Sequence, residues 1–385
     1  MRNARIISPN DNIDDILDIK IEDGIITDIS ANIEGQGLDY SGKIITPGLI
    51  DMHCHLREPG FEYKETIETG TQAALNGGFA AVCPMANTNP VVDNIETLKF
   101  VLNKAAQIGK IDVFPICAVT KGLEGKELTD FNALKQAGAI AFSDDGKPVE
   151  DMELFKKALQ GGELIISHAQ EEVEAVKREL DALREVGGRL HFAHISTKEA
   201  IDLIRTAKAE GLNVTCETAP HYFTFTKENE TVDGRFKMNP PLRKDEDVKA
   251  VIKGLQDGTI DCIATDHAPH SIEEKMKPFS QSPFGIVGFE TAIGATLKLF
   301  HGGHLTINQV VEKLSANPAR ILGLKDQYGH IKIGQPVNLT IIDPGKEYEV
   351  RGGEFKSKCK ITPFEGMRFK GKVVEVMRGK NDYNK

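Results

Sequence analysis

The feature that most constrains the fold is a repeated alternation of strand-like and helix-like segments through the middle of the chain. The strand-like runs are apolar and rich in β-branched residues, and they cover residues 43–53, 79–85, 112–119, 139–144, 163–168, 189–195, 213–219 and 261–268. Between them lie amphipathic segments such as residues 197–211, where Ala200, Ile204 and Ala207 form one stripe and Gly211 is a typical C-cap. Eight such units predict a parallel (β/α)8 TIM barrel with its helices outside.

The two ends of the chain show a different pattern. Residues 16–30 form two alternating strand-like runs joined at Asp23-Gly24, which is a hairpin signal. Short strands are predicted again from about residue 330, in GHIKIGQPVNLTIID and GKVVEVMRG. Neither end is long enough for a large core of its own. We therefore predict a discontinuous small β-domain of residues 1–47 and 330–385, beside a barrel of residues 48–329.

Residues that can bind metals lie at the C-terminal ends of five predicted strands, which is the catalytic face of a barrel. His53 and His55 are two residues apart in the first strand, so their side chains leave by the same face and can converge. The other strand ends carry Asp144, Asp145, His168, His194, Asp266 and His267. A lone strand-end histidine is usually structural, but imidazole and carboxylate groups in this number are a typical Zn²⁺ ligand set. The pattern predicts a metal site and does not choose between Asp144 and Asp145.

Seven motifs occur in order along the middle of the chain. They are DMHCHLREPG, NTNPVVDN, AFSDDG, AHIST, KMNPPLR, ATDHAPH and SPFGIVGFET. With these motifs, and with GHIKIGQPVNLTIID near its end, the whole chain resembles the dihydroorotases of the amidohydrolase superfamily, specifically the bacterial type with a bridging aspartate. The resemblance implies a cyclic amidohydrolase that catalyses the reversible cyclisation of N-carbamoyl-L-aspartate to (S)-dihydroorotate in pyrimidine (UMP) biosynthesis.

The resemblance also implies the roles of individual residues. His53, His55 and Asp266 would hold one zinc ion, Asp145 would bridge, and His168 and His194 would hold a second ion if it is bound. Asp266 would also be the catalytic acid–base. The substrate would be bound by His55, Arg57, Asn87, Asn239, His270, Phe284 and Gly285, with Arg57 on its carboxylate. Residues 270–277, HSIEEKMK, would fold over the site.

Three further histidines receive a structural interpretation. His191 lies an odd number of residues from His194, so in a continuous strand it would point to the opposite face. His221 does not match a ligand of the motifs. His267 follows Asp266 directly and would face away from it.

Composition excludes several classes of function and of location. The net charge is −10 and no Lys/Arg cluster stands out, so nucleic-acid binding is not expected. No apolar run approaches the ~20 residues of a membrane span, and no signal peptide is indicated at the first residues. The six cysteines lack C-x-x-C spacing, which favours a reducing cytoplasm. A homodimer and an association with aspartate carbamoyltransferase are left open as protein partners.

One segment departs from the resembled family. Only 25 residues separate His168 from His194, and residues 169–188 predict a single helix with a stripe of Val173, Val176, Leu180 and Leu183 that ends at Gly187-Gly188. Related enzymes usually have a longer crossover, which begins with an HCED-like tetrad where this chain has HAQE. We expect an intact barrel with an altered rim.

Two rival functions remain at this stage. An allantoinase or hydantoinase usually bridges its metals with a carboxylated lysine, whereas this chain has the Asp pair, and Lys147 lies beyond the strand. A non-catalytic scaffold subunit for aspartate carbamoyltransferase would typically have lost metal ligands, and all six are present here. The sequence therefore favours the enzyme.

Overall fold

The computed structural model describes residues 1–379, within which fifteen strands are defined. They are β1 (Ala4–Ser8), β2 (Ile13–Glu22), β3 (Ile25–Ser30), β4 (Ile44–Pro47), β5 (Leu49–Cys54), β6 (Phe79–Pro84), β7 (Asp112–Val113), β8 (Ile116–Cys117), β9 (Ala141–Phe142), β10 (Leu164–Ser167), β11 (Arg189–Phe192), β12 (Val214–Thr218), β13 (Cys262–Ile263), β14 (Asn338–Glu349) and β15 (Arg368–Arg378). The short strands β5 to β13 surround the core, and the long ones lie at the chain ends.

Helices follow most of the central strands. They are α1 (Ile67–Gly77), α2 (Ile95–Ile108), α3 (Phe131–Ala137), α4 (Met152–Gln160), α5 (Glu172–Val186), α6 (Lys198–Ala209), α7 (Asp245–Asp257), α8 (Ile272–Lys275), α9 (Phe289–His301), α10 (Ile307–Val311) and α11 (Asn317–Leu322), with a π-helix at Glu312–Ala316. Side-chain caps fix several starts, since Thr66, Asn94 and Thr197 each accept a hydrogen bond from a first-turn backbone N–H. None of the helices described is long and apolar enough to cross a membrane.

The central strands form a parallel (β/α)8 barrel, as predicted. Strands β5, β6 and β7 pair in parallel, and β8 to β13 continue in chain order. Pro115 interrupts the third barrel strand, but backbone bonds from Phe114 to Val82 and from Ile140 to Pro115 carry the pairing across the break. Parallel bridges from His267 to Cys54 and to Ile286 join the two ends of the sheet. The alternation of strands and helices in the sequence therefore gave the correct architecture.

The terminal segments pair in one six-stranded sheet of order β15-β14-β4-β1-β2-β3. The predicted first barrel strand is wrong in one respect, because it is two strands that belong to different sheets. Strand β4 pairs with β1 and β14 in the terminal sheet, and β5 begins the barrel after Gly48. A Cβ at Gly48 would lie 2.1 Å from Oδ1 of Asn338, so only glycine fits where the chain crosses over.

This sheet supports the prediction of a small β-domain built from both chain ends. We retain residues 1–47 and 330–385 as a proposal for its extent, with residues 48–329 as the barrel. Residues 380–385 of that range lie outside the described part of the chain. Apolar side chains of the sheet, including Ile6, Ile45 and Leu339, form a core cluster of their own.

The short crossover between β10 and β11 is a single helix, as predicted. Helix α5 ends at Gly187, which has a φ of 70° and donates its N–H to Leu183. Val176 and Leu180 of the predicted stripe are buried. Val173 is only half-buried, because the first turn of α5 lies beside the large cavity at the mouth of the barrel.

Candidate active site and metal centre

Nearly all of the site residues predicted from the sequence line one cavity at the C-terminal ends of the barrel strands. Its volume is about 810 Å³. The predicted residues that line it are His55, Arg57, Asn87, Asp145, His168, His194, Asn239, Asp266, His270, Phe284 and Gly285. His53 does not line the cavity, but its Nε2 lies 3.4 Å from Oδ1 of Asp266. The structure thus brings the whole predicted set together.

The His53–His55 pair presents the same ring nitrogen to the two carboxylates. Nε2 of His55 lies 3.2 Å from Oδ2 of Asp145 and 3.4 Å from Oδ1 of Asp266. Nδ1 of His53 donates to Oε1 of Glu217 at 2.9 Å, and Nδ1 of His55 is 3.0 Å from Oδ1 of Asn87. Because Nδ1 is the donor in both rings, the Nε2 atoms of both rings face the cluster. This is the tautomer that a metal ligand needs.

His168 and His194 complete a second group on the other side of Asp145. Nδ1 of His168 lies 3.2 Å from Oδ1 of Asp145 and 3.1 Å from Nε2 of His194. Two sets of three potential ligands have their donor atoms within 4.8 Å of one another, and the sets are His53, His55 and Asp266, and His53, His168 and His194. Since Asp145 contacts histidines of both sets, its position suits a bridging carboxylate.

The structure distinguishes the two adjacent aspartates that the sequence could not. Asp144 is turned away from the histidines, and its carboxylate accepts hydrogen bonds from the backbone N–H and the hydroxyl of Thr120. Oδ2 of Asp145 has no hydrogen-bond partner within the described residues. Its geometry therefore favours Asp145 as the metal ligand.

The ionised carboxylates of the cluster favour a bound cation. Burial raises the pKa of Asp266, but the neighbouring His53 and His55 outweigh burial and lower this pKa below its ordinary value. The pKa of Asp145 is lowered for the same reasons, with His168 the largest of the histidine contributions. Burial lowers the pKa of His168 to about 3, which keeps that imidazole neutral. Burial lowers the pKa of His53, but Asp266, Asp145 and Glu217 outweigh burial and raise this pKa well above its ordinary value. A divalent ion that binds here would displace the proton of His53.

Three residues of the site have a left-handed backbone, which is rare outside glycine. The φ angles are 62° at Arg57, 38° at His194 and 46° at Asp266. All three lie just beyond the ends of their barrel strands. Such strained residues persist where surrounding structure holds them, and they cluster at active sites.

The interpretation of His191 as a residue on the opposite face was wrong. Strand β11 ends at Phe192 and the chain changes direction before His194, so counting residues along a strand does not apply. Nε2 of His191 lies 3.2 Å from Oε2 of Glu217, whose other oxygen holds His53. His191 is therefore connected to the cluster through one carboxylate.

The other two histidines do not belong to either ligand set. The ring of His267 stacks on Phe289 at 4.0 Å between centroids, and its Nε2 faces Glu65 at 3.4 Å. His221 is fully buried behind the site, and burial lowers its pKa to about 4. The contacts of His267 agree with a structural interpretation, whereas Nε2 of His221 has no hydrogen-bond partner among the described residues, so the structural role of His221 stays a prediction.

Sequence reasoning missed Glu217, which the structure connects directly to the site. Burial alone raises the pKa of Glu217, but hydrogen bonds from His191 and His53 outweigh it and lower this pKa to about 2. A glutamate in the otherwise uncharged strand NVTCETA was the available signal, because a buried carboxylate requires partners.

Arg57 and His270 lie together in the wall of the same cavity. Nε of Arg57 donates to the carbonyl of Pro269 at 3.2 Å, and its Nη2 is 3.5 Å from Nε2 of His270. Nε2 of His270 donates to the carbonyl of Phe284 at 2.7 Å, and Nδ1 accepts from Nζ of Lys64 at 3.1 Å. Burial lowers the pKa of His270 to about 2, so the ring is neutral and both nitrogens are engaged.

The altered crossover forms part of the cavity rim. Glu172, at the start of α5, accepts hydrogen bonds from the backbone N–H groups of Ser196 at 3.0 Å and Thr197 at 2.7 Å. Arg243 approaches the same carboxylate at 3.4 Å. This buried glutamate ties the short crossover to the two neighbouring loops of the barrel mouth.

Comparison with known proteins identifies the family. A family model described as "Dihydro-orotase-like" matches residues 42–175, and the match ends within α5. The dihydroorotase of Citrifermentans bemidjiense is 44% identical over 422 aligned positions, which cover 100% of this chain and 99% of that protein. Because this chain has 385 residues, at least 37 of those positions lack a counterpart in it.

A second relative supports the same family, and a solved structure has the same fold. The dihydroorotase of Acetivibrio thermocellus is 43% identical, with 98% of this chain and 96% of that protein covered. The L-hydantoinase (dihydropyrimidinase) of Arthrobacter aurescens has the same fold, with a TM-score of 0.90, 24% identity, and coverage of 99% of this chain and 94% of that one. With 43 to 44% identity to two dihydroorotases over almost its whole length, the chain belongs to the dihydroorotase family.

Proposed function

We propose that the protein catalyses the reversible cyclisation of N-carbamoyl-L-aspartate to (S)-dihydroorotate, a step of pyrimidine biosynthesis. The observation that carries the proposal is that Arg57 and Asp266 line one cavity together with the histidine cluster. A group that can hold a carboxylate thus lies in the same cavity as a group that can move a proton. The shared name of the relatives supports the same reaction.

The residues present fit a divalent metal ion, and we propose zinc. Nε2 of His53, Oδ2 of Asp145 and Nε2 of His168 are buried without hydrogen-bond partners among the described residues, which is unfavourable unless a further group satisfies them. Imidazole and carboxylate donors are the ligands that zinc takes in catalytic sites. His53, His55 and Asp266 would hold one ion, His168 and His194 would hold a second if it is bound, and Asp145 would be shared between the two. When bound, such ions activate water and polarise a carbonyl group.

The substrate ring would lie between the metal centre and Arg57. The guanidinium of Arg57 would hold the ring carboxylate through two parallel hydrogen bonds. Arg57 is half-buried in the cavity wall, where such a contact is less screened by water than at an exposed site. The remaining proposed contacts are His55, Asn87, Asn239, His270, Phe284 and Gly285, all of which line the cavity.

Asp266 would carry the proton in both directions. In hydrolysis it accepts a proton from the attacking water and delivers it to the ring nitrogen as the C–N bond breaks. In cyclisation it takes a proton from the carbamoyl nitrogen as that nitrogen attacks the carbon of the protonated side-chain carboxyl group, and it returns this proton to the departing hydroxyl, which leaves as water. A carboxylate with a lowered pKa is ionised at neutral pH and is ready to accept the proton.

A hydantoinase-like activity is the nearest alternative, because the Arthrobacter structure shares the fold. Two features favour the acidic substrate. Asp145 lies where a bridging group is needed, whereas Lys147 is exposed. Arg57 supplies a cation that can bind the carboxylate of an acidic ring, whereas a neutral ring has no such group.

The test is a steady-state assay of the purified chain on dihydroorotate, carbamoyl aspartate, hydantoin and allantoin, with metal analysis. We expect turnover of the first two and little of the neutral rings. A preference for a neutral ring would replace this proposal with the hydantoinase alternative. The proposed protein partners are a second copy of this chain and aspartate carbamoyltransferase. Sedimentation of the chain alone would test the first, and sedimentation of its mixture with that enzyme would test the second.

A further inference from the structure

A lysine side chain is buried beside the cavity where the sequence led us to expect a covering loop. Residues 271–285, here called the rim segment, begin with α8, which is capped by Ser271. Lys275, at the end of α8, is only 1% exposed. Burying an ammonium group without partners costs far more than one hydrogen bond returns, so its contacts must be specific.

All three donors of this ammonium group are used. Nζ of Lys275 donates to the carbonyl oxygens of Lys237 at 3.1 Å, Pro283 at 3.1 Å and Gly285 at 2.6 Å. An ammonium group has three donors and no acceptor, so the set is complete. Burial lowers the pKa of Lys275 to about 8, which leaves the group mainly charged at neutral pH.

The three carbonyls belong to the two chain segments that supply proposed substrate contacts. Pro283 and Gly285 flank Phe284, and Lys237 lies two residues before Asn239. The N–H of Gly285 also donates to the carbonyl of Lys237 at 3.0 Å. Lys275 therefore joins the Phe284-Gly285 wall of the cavity to the Asn239 wall through one point charge.

Gly285 contributes only backbone to the Phe284-Gly285 wall, so backbone contacts must set its position. Gly285 has a φ of 123°, and a Cβ there would lie 2.6 Å from the carbonyl oxygen of Ala268. No side chain can therefore be added at this position to pack the wall in place. The carbonyl of Phe284 is held from the cavity side by His270 at 2.7 Å, and its two neighbours are held from behind by Lys275.

We propose that Lys275 is a positioning residue for substrate binding, which holds the Phe284-Gly285 backbone and the Asn239 segment at the separation that the substrate ring requires. The inference rests on the proposed function, because it concerns the wall of that same site. Lys275 does not line the cavity itself and makes no contact with any proposed metal ligand. Its loss should therefore change substrate binding and leave the metal centre as it is.

The test compares Lys275→Met with Lys313→Met. Lys313 is a matched control, because it is 3% exposed and its Nζ donates to a backbone carbonyl, that of Ile260 at 2.7 Å, but it does not line the cavity. Both variants lose a buried ammonium group. Steady-state kinetics with dihydroorotate, metal content and the urea midpoint are measured for each.

For Lys275→Met we expect KM to rise roughly 10- to 100-fold with kcat changed much less, since misplacing a positioning group by about 1 Å has effects of this size. Metal content should match the wild type. Lys313→Met should keep the wild-type KM even if its urea midpoint falls as far.

An unchanged KM in Lys275→Met, or an equal rise in both variants, would overturn the inference. If Lys275→Met fails to fold, Lys275→Arg is measured in its place. That variant keeps the charge but not the compact donor geometry, and it should raise KM at an unchanged metal content. An unchanged KM in Lys275→Arg would then overturn the inference. Failure of the wild-type chain to turn over dihydroorotate would instead count against the proposed function.

Discussion

Nδ1 of His53 lies 2.9 Å from Oε1 of Glu217, and this contact fixes which nitrogen of His53 faces the proposed metal centre. Oε2 of the same glutamate is held by His191 at 3.2 Å. A carboxylate that accepts from the far nitrogen of a ligand histidine fixes its tautomer and raises its basicity. Side-chain contacts thus run from Thr215 through His191 and Glu217 to His53, and this buried series of contacts ends at the proposed metal centre.

We predict that Glu217→Ala lowers the affinity for Zn²⁺ about 10- to 100-fold, the range typical of supporting carboxylates. Competition with a chelator measures it, without reference to activity. The control is Glu179→Ala, which also removes a buried glutamate but has no contact with a proposed ligand. Equal zinc affinities in the two variants would contradict the role assigned to Glu217.

Arg57→Met should weaken substrate capture while leaving metal content unchanged. Loss of a charge-assisted bidentate contact in a buried site costs about 2–3 kcal/mol, or roughly 30- to 150-fold in kcat/KM for dihydroorotate. Arg243→Met is the matched control, because Arg243 also lines the cavity but is engaged with Glu172 and Ser196. An equal loss of kcat/KM in the two variants would contradict the assignment of Arg57 as the residue that binds the substrate carboxylate.

Asp266→Asn should separate metal binding from proton transfer. The amide oxygen can still face the ion, but the amide cannot accept a proton near neutral pH, and general acid–base catalysis contributes about 10²–10⁴-fold. We expect at least a ~10²-fold lower turnover in both directions on protein with measured, full metal content. His270 is no ready substitute, because its two nitrogens are engaged by Phe284 and Lys64. Near wild-type rates in the metal-replete variant would require another proton carrier.

Glu179 offers a prediction about stability and pH. It is 1% exposed on α5, and burial raises its pKa to about 7 from an ordinary value near 4.5. The folded protein therefore keeps a proton that the unfolded chain has released between these values, so this group lowers stability as pH rises through that window. Glu179→Gln should be more stable than wild type by up to roughly 3 kcal/mol at pH 8 and about equal near pH 4.5.

Urea denaturation at several pH values measures that difference. Glu174→Gln is the control, because Glu174 is exposed on the same helix and should show no such pH dependence. A stability difference between Glu179→Gln and wild type that does not grow from pH 4.5 to pH 8 would contradict the assigned burial effect.

The sequence predicted the architecture because strand and helix periods alternate clearly, and it predicted a metal site because histidines and aspartates follow five strands, whose ends the structure brings to one cavity. It failed where the backbone departs from regular strands. His194 and Asp266 lie beyond the ends of their strands and have positive φ angles. The alternation of side chains along a strand therefore could not predict the direction in which their neighbours point. This is why His191 was placed on the wrong face.

Long-range partners were the other limit. Glu217 and Lys275 are ordinary residues of a strand and a short helix until the fold brings them to His53 and to the carbonyl of Gly285. Nothing within their local sequence specifies those contacts, which join residues far apart or across a loop. The choice of Asp145 over Asp144 likewise depends on Thr120, which lies on the preceding strand's loop and holds Asp144 away.

The most direct test of the account is the rate of dihydroorotate hydrolysis by the wild-type chain, first in a verified metal-free preparation and then during titration with Zn²⁺. The motivation is the convergence of four histidines and two aspartates, with buried donor atoms that lack partners among residues 1–379. We predict no turnover above background without metal, and recovery that saturates at one or two ions per chain. Full activity in the metal-free preparation would contradict the assignment of these six residues as a catalytic metal centre.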